Sequence, residues 1–178
     1  QDMTAEETNT PSTEVKNVKE REYTPENITS LKPNEVFVFG SNAEGAHGKG
    51  AALIAKQKFG AKTGQAEGLQ GQSYAVITKK DWRKEKSSTL DEIYNGLKKL
   101  MRDAVANRNK KFLVTKLGSS LAGYTIAEIK GLFSTLNETI GIPDNIVLPL
   151  EYEVRNQSPK KEPAIKAKSF EEFKDQLN

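Results

Sequence analysis

Residues 37–52 read Phe-Val-Phe-Gly-Ser-Asn-Ala-Glu-Gly-Ala-His-Gly-Lys-Gly-Ala-Ala. Asn42 offers an amide and Lys49 a cation, and His47 is the only imidazole of the chain. Around them Gly40, Ser41, Gly45, Gly48 and Gly50 leave the backbone almost bare. An apolar strand that feeds a glycine loop and then a helix leaves N–H groups free to face an anion. Glycine also lets the backbone approach a phosphate with no Cβ in the way. The spacing fits neither the dinucleotide fingerprint nor the Walker A loop. The chemistry expected is binding of a nucleotide-type phosphate ligand. On such a loop His47 would act as a general base or, as the cation, hold a phosphate. The alternative is a loop histidine whose ring nitrogen only bonds a backbone carbonyl.

A second small-residue loop, Gly118-Ser-Ser-Leu-Ala-Gly-Tyr124, and a polar segment, Gly68-Leu-Gln-Gly-Gln-Ser-Tyr74, extend the candidate set to Gln70 and residues 118–124. Ligands of open α/β sheets collect beyond the carboxyl ends of strands. Two glycine loops facing each other there, each before a helix amino end, would clamp a diphosphate from both sides. The competing explanation is that these glycines serve tight turns and helix–sheet packing. Glu44 and Asp81 are the nearest acids that could position a water, and Trp82 and Tyr74 could stack on a base or anchor packing. Lys79, Lys80, Arg83, Lys84 and Lys86 form a basic cluster that could meet phosphates, but their interleaving with Asp81 and Glu85 favours a solvated, mixed-charge turn. With one histidine, no cysteine and no tight acidic cluster near the loops, neither a transition-metal site nor a cofactor is expected. Magnesium held through ligand phosphates stays open.

The elements that must position these groups alternate. A strand is expected over 36–39, a helix over 50–59 stopping at Gly60, a loop over 64–71 and a strand over 73–78. Thr89 and Glu92 stand in capping-box spacing before Leu90, Ile93, Leu97, Leu100, Met101 and Ala104, one apolar helical face. A strand over 112–117 follows, then a second capping box, Thr125 with Glu128, and a helix to about residue 137. Pro143-Asp144-Asn145 turns the chain into a last strand over 146–150. The alternation predicts an α/β domain with a mostly parallel central sheet over residues 23–154. Residues 1–22 read as a polar, flexible arm; residues 155–178 read as a linker and a short helix over 169–177.

The 178 residues suffice for one domain with a real core. A net charge of +3 with dispersed Lys and Arg argues against nucleic acid as a partner. The absence of cysteine excludes disulfides, thiolate metal sites and a cysteine nucleophile. No apolar run approaches the ~18–20 residues of a membrane helix. A cytoplasmic protein with no membrane association is expected, although a start at Gln1 leaves a removed signal peptide open.

Phe37-Val-Phe-Gly-Ser-Asn42, Gly45-Ala-His-Gly-Lys-Gly-Ala-Ala52, residues 68–74 and residues 118–124 together resemble one family over about residues 23–153. It is that of the macrodomain-like proteins of phage and bacterial genomes, distant relatives of ADP-ribose-binding macrodomains. The resemblance implies a three-layer α/β/α fold and an ADP-ribose-type pocket. It implies Asn42 at the distal ribose, with Gly45, Gly48, Lys49 and Gly50 near that ribose and the diphosphate. It further implies that Gly118, Ser119, Ser120, Leu121, Ala122 and Gly123 clasp phosphate, with Tyr124 beside the ribose. Asn27, in Asn27-Ile28-Thr29, stands where macrodomains often read the adenine amino group with aspartate. The function expected is binding of ADP-ribose or a related nucleotide diphosphate. Hydrolysis of a derivative would use Asn42 to orient the ribose and His47 to steer a water. The alternatives are a non-catalytic sensing or sequestering module and a protein-interaction domain whose tails bind a partner of unknown kind.

Overall fold

A computed structural model of the protein describes residues 21–119 and 122–155. Ser120, Leu121, most of the expected arm and the expected helix over 169–177 lie outside them. Residues Tyr23–Val154 form one compact unit.

The central strand β1, Glu35–Asn42, shows how the layers arise. Side chains alternate across a strand, so Val36 and Val38 enter one buried cluster while Phe37 and Phe39 enter another. β3, Ser73–Lys79, repeats this: Tyr74 and Val76 face the first cluster, Ala75 the second. With β2 (Gly68–Gln70), β4 (Lys111–Val114) and β5 (Ile146–Val147), the sheet order is β2-β3-β1-β4-β5. β1 pairs in parallel with β3 and β4, and β4 with β5; only β2 is antiparallel.

Helix α1, Gly50–Lys58, covers the Phe37/Phe39 face through Ala52 and Ala55. Helices α2, Leu90–Ala106, and α3, Ile126–Thr139, cover the other face with Ile93, Leu97, Leu100, Ile129, Phe133 and Leu136. The result is the expected mostly parallel α/β/α arrangement. Both capping boxes are complete: Thr89 and Thr125 accept from the N–H groups of Glu92 and Glu128, whose side chains accept back.

Four elements differ from the sequence reading. The last strand, expected over 146–150, ends at Val147, because the chain turns at Pro149 into a 3-10 turn over Leu150–Tyr152. β1 continues to Asn42 because Gly40 and Ser41 remain paired with β3. β4 stops at Val114, where the Thr115 N–H and hydroxyl both donate to the Val38 carbonyl and turn the chain away. β2 was not expected: its three residues carry no hydrophobic alternation, and positive φ at Gly68 and Gly71 (92° and 61°) sets its ends. The β1–β3 register jumps from Ser41↔Ile77 to Asn42↔Lys79, a bulge that leaves Thr78 unpaired at the strand exit. No helix among the described residues is long and apolar enough to cross a membrane.

Candidate functional site

A cavity of about 660 Å³ opens at the carboxyl ends of β1 and β3. Gly40, Ser41, Asn42, Gly48 and Lys49 line it, together with Ala46, Ala52, Thr78, Lys79, Trp82, Arg83 and Glu85. The bulge places Lys79 as the register partner of Asn42. A Cβ on Gly40 would come within 2.9 Å of Thr78 Oγ1, so the narrow floor requires glycine. Asn42 accepts from the Ala46 N–H at 3.0 Å, which curls the glycine loop over the strand end. Ser41 donates its hydroxyl to the Ala66 carbonyl and so ties the floor to the next loop.

His47 does not line this cavity. Its side chain is fully buried (0% exposed), with φ of 48° at a non-glycine residue. Nε2 lies 3.1 Å from the Gln65 carbonyl and 3.3 Å from Gln70 Oε1. The Gln70 amide is oriented at both ends: Oε1 accepts from the Lys62 N–H, and Nε2 donates to the Gln65 and Gly68 carbonyls. Facing two acceptors, His47 Nε2 carries the proton and donates. Nδ1 has no hydrogen-bond partner among the described residues, so a second ring proton would be a buried, unpaired donor. The imidazole also meets Phe39 edge-to-face, with centroids 5.1 Å apart. Gln70 and Gly45 belong to this backing too. Gln70 is buried, and a Cβ on Gly45 would lie 2.7 Å from the Gly64 carbonyl carbon.

A second cavity, about 440 Å³, lies on the other side of the α1 amino end. Asn27, Ile28, Thr29, Phe37, Gly50, Ala51 and Ile54 line it, with Lys58, Thr115, Lys116 and the 24–26 segment. The Lys116 ammonium meets Glu26 at 3.0 Å and Glu151 at 3.4 Å, contacts that raise its pKa. Between the cavities α1 starts without a side-chain cap and with no acid in its first turn. Its first N–H groups lack the side-chain partner that α2 and α3 have.

The described part of the second glycine loop lines neither cavity. Gly118, with φ of 85°, packs so tightly on α3 that a Cβ would meet Ile129 Cδ1 at 2.6 Å. Ser119 donates to the Lys116 carbonyl, Ala122 is buried, and Gly123 abuts Glu85. Tyr124 donates to the Ser88 carbonyl at 2.6 Å, and the Lys86 N–H donates to the Ala122 carbonyl at 2.8 Å. Burial, then the Glu128 and Glu92 carboxylates, pushes the Tyr124 phenol pKa up. This loop therefore grips residues 85–88, part of the segment that also walls the larger cavity.

The structure thus gathers Gly40, Ser41, Asn42, Gly48 and Lys49 at one cavity, and Asn27 and Gly50 at the other. Gly45, His47, Gln70, Gly118, Ser119, Ala122, Gly123 and Tyr124 sit behind or beside them. Of the other wall residues, the sequence reading weighed Trp82 as a stacking residue and Lys79 and Arg83 within a mixed-charge turn, and it gave Thr78 and Glu85 no part in the site. Their signal was position: they follow the carboxyl end of a parallel strand.

The fold is macrodomain-like. The chain superposes on the macrodomain of Mycobacterium tuberculosis DarG with a TM-score of 0.55 and 22% identity, covering 74% of this chain and 97% of that one. A Bacteroides thetaiotaomicron protein of unknown function aligns with a TM-score of 0.49 and 16% identity, over 74% of this chain and 99% of that one. No protein-family model and no curated protein matches the sequence.

Proposed function

We propose that this protein binds ADP-ribose or a closely related nucleotide diphosphate across the amino end of α1. The observation that carries this reading is the pair of cavities. Gly48 and Lys49 line one while Gly50 and Ala51 line the other, so an elongated ligand filling both crosses the uncapped helix end midway. A diphosphate suits that midpoint, because free N–H groups and the helix dipole favour an anion there. In this reading the base rests on Ile28, Phe37 and Ile54 in the smaller cavity, with Asn27 at its edge. The Asn27 amide oxygen accepts from an amino group, without the charge an aspartate would add. The distal sugar meets Asn42 in the larger cavity. Ala122, Gly123 and Tyr124 act indirectly by holding the wall, and His47 organises the loop from behind. Membership of the phage- and bacteria-associated group rests on the four sequence blocks, and a cytoplasmic location goes with a nucleotide ligand.

Calorimetric titration with ADP-ribose, and with AMP for comparison, tests the reading. Micromolar binding of ADP-ribose, tighter than AMP, is expected; absence of heat with ADP-ribose overturns it. Hydrolysis of an ADP-ribose derivative is the second reading, favoured by Glu85 and Lys79 in the same cavity as Asn42. A carboxylate there can steer water, and preorganised N–H groups stabilise developing charge. Release of ADP-ribose from ADP-ribosylated protein, or of phosphate from ADP-ribose-1″-phosphate, is the assay. Loss of release in Glu85→Gln with binding retained would support it. No release by the intact protein would leave a binding module.

A further inference from the structure

The larger cavity has one wall that a sugar does not explain. At about 660 Å³ it matches the size of sites that enclose a whole drug-sized molecule, far more than one pentose. Beyond Asn42 its lining is Trp82, Arg83, Lys79 and Glu85 from the segment after β3, and Lys49 from the glycine loop. Trp82 is the only tryptophan of the chain and is 49% exposed, so its indole is not an anchor buried in the core.

The backbone under that indole is nevertheless pinned. The Lys79 ammonium donates to the Trp82 carbonyl at 2.9 Å. Both the backbone N–H and Nε of Arg83 donate to Asp81 Oδ1 at 3.0 Å, and the Arg83 guanidinium lies 5.8 Å from the indole centroid. The Asp81 N–H donates to Ser87 Oγ, whose hydroxyl returns to the Asp81 carbonyl. At its far end the segment is gripped by the second glycine loop through Lys86 and Tyr124. A solvent-facing aromatic on a fixed backbone is a preorganised stacking platform, which avoids the ordering cost of a mobile one.

We propose that Trp82 is a specificity-determining residue, which stacks on a flat ring carried by the ligand beyond its distal sugar. This rests on the proposed function, which puts that sugar at Asn42. The charges around the indole select among rings. The Arg83 charge is taken up by Asp81 at 3.0 Å, with Glu44 nearby, which leaves Lys49 and Lys79 against Glu85, so a cationic ring is disfavoured and a neutral or anionic one is accepted. The ligand class is therefore an ADP-ribose whose anomeric carbon bears a neutral or anionic planar ring.

The test is calorimetry with three probes, NADH, NAD and ADP-ribose, which present a neutral ring, a cationic ring and no ring on one scaffold. NADH is expected to bind the intact protein about tenfold more tightly than ADP-ribose, the scale of one base–aromatic stack. NAD, with its cationic ring, should lack most of that increment. Trp82→Ala should erase the NADH increment and leave ADP-ribose affinity unchanged, while Trp82→Phe retains part of it. Because Trp82 is the only indole, quenching of its emission in the NADH complex, against the ADP-ribose complex, gives a second readout in the intact protein. Equal affinities for NADH and ADP-ribose would overturn the inference and leave the proposed function standing. Equal losses for both ligands in Trp82→Ala would also overturn it, placing the adenine on the indole. Failure of ADP-ribose itself to bind would overturn both.

Discussion

The two faces of the sheet are built on different rules. On one, α2 and α3 pack large aliphatic side chains against Val36, Val38 and Val76. Each of these helices starts at a complete capping box with acid in its first turn. On the other face, α1 offers alanines to Phe37 and Phe39, has no side-chain cap and carries no acid at its start. The first face caps its helix starts with side chains and buries a core of large side chains. The second leaves donors and two cavities open beside glycine-rich backbone. The larger core and the candidate site are thus segregated across one sheet, and β1 contributes alternate side chains to each face.

Leu97→Ala strikes the stabilising face alone. Leu97 is 0% exposed. Unfolding in urea should report a loss of about 3 kcal/mol, with ADP-ribose affinity unchanged for the folded fraction. A comparable loss of affinity would mean that the faces are not independent. Gly45→Ala attacks the other face, because the new Cβ would strike the Gly64 backbone at a φ of 69°. Stability should fall by about 2 kcal/mol and affinity with it.

His47→Ala sharpens the division within that face. The variant loses the Nε2 hydrogen bonds and the Phe39 contact, and its chain must still hold a positive φ. A stability loss of about 1.5 kcal/mol with little change in affinity is expected. Unchanged stability with abolished turnover would instead return the imidazole to the reaction. Asn42→Ala should weaken ADP-ribose binding by about tenfold, the scale of one good polar contact.

The smallest effect is the pH response of the stabilising face. The Thr89 and Thr125 N–H groups hold the Glu92 and Glu128 carboxyls below the ordinary carboxylate range; Lys80 adds to the shift at Glu92. The unfolded chain therefore binds protons more readily, and stability rises with pH through this window. The contribution is complete above the unfolded value, ~4.3, and is lost as pH falls through the lower folded values. Replacing both by glutamine keeps the capping geometry but removes the titration. The thermal midpoint of the double variant should fall less steeply in acid than that of the natural chain.

Legibility followed the same division. The capping boxes and the apolar spacing of residues 90–104 are local signals, and they located α2 and α3 almost to the residue. The continuous apolar run Val36–Phe39 marked a strand, which the sheet order makes the central one. β2 escaped because a three-residue strand flanked by glycines has no period to read. At the site, the first glycine loop was visible as composition, and Asn42, Gly48, Lys49 and Gly50 reached the cavities. His47 and Gln70 are polar residues beside the same loop, yet they turn inward to each other; no spacing rule distinguishes that from a ligand contact. The charged run after Thr78 resembled a solvated turn because its role as a wall depends on where β3 ends.

By itself the sequence determined the alternation of strands and helices, the capped starts of α2 and α3, and the presence of two loops able to bare their backbone. These follow from interactions within a few residues: side-chain period, caps and glycine conformation. Only the tertiary structure decided which glycine loop opens into a cavity and which serves to grip a wall. It also decided that the sole histidine is buried and that the sole tryptophan is half-exposed at the cavity wall. Those outcomes depend on contacts across long stretches of chain, such as Gly45 with Gly64, His47 with Gln70 and Gly123 with Glu85. Local preference is silent about partners that meet only when the sheet closes.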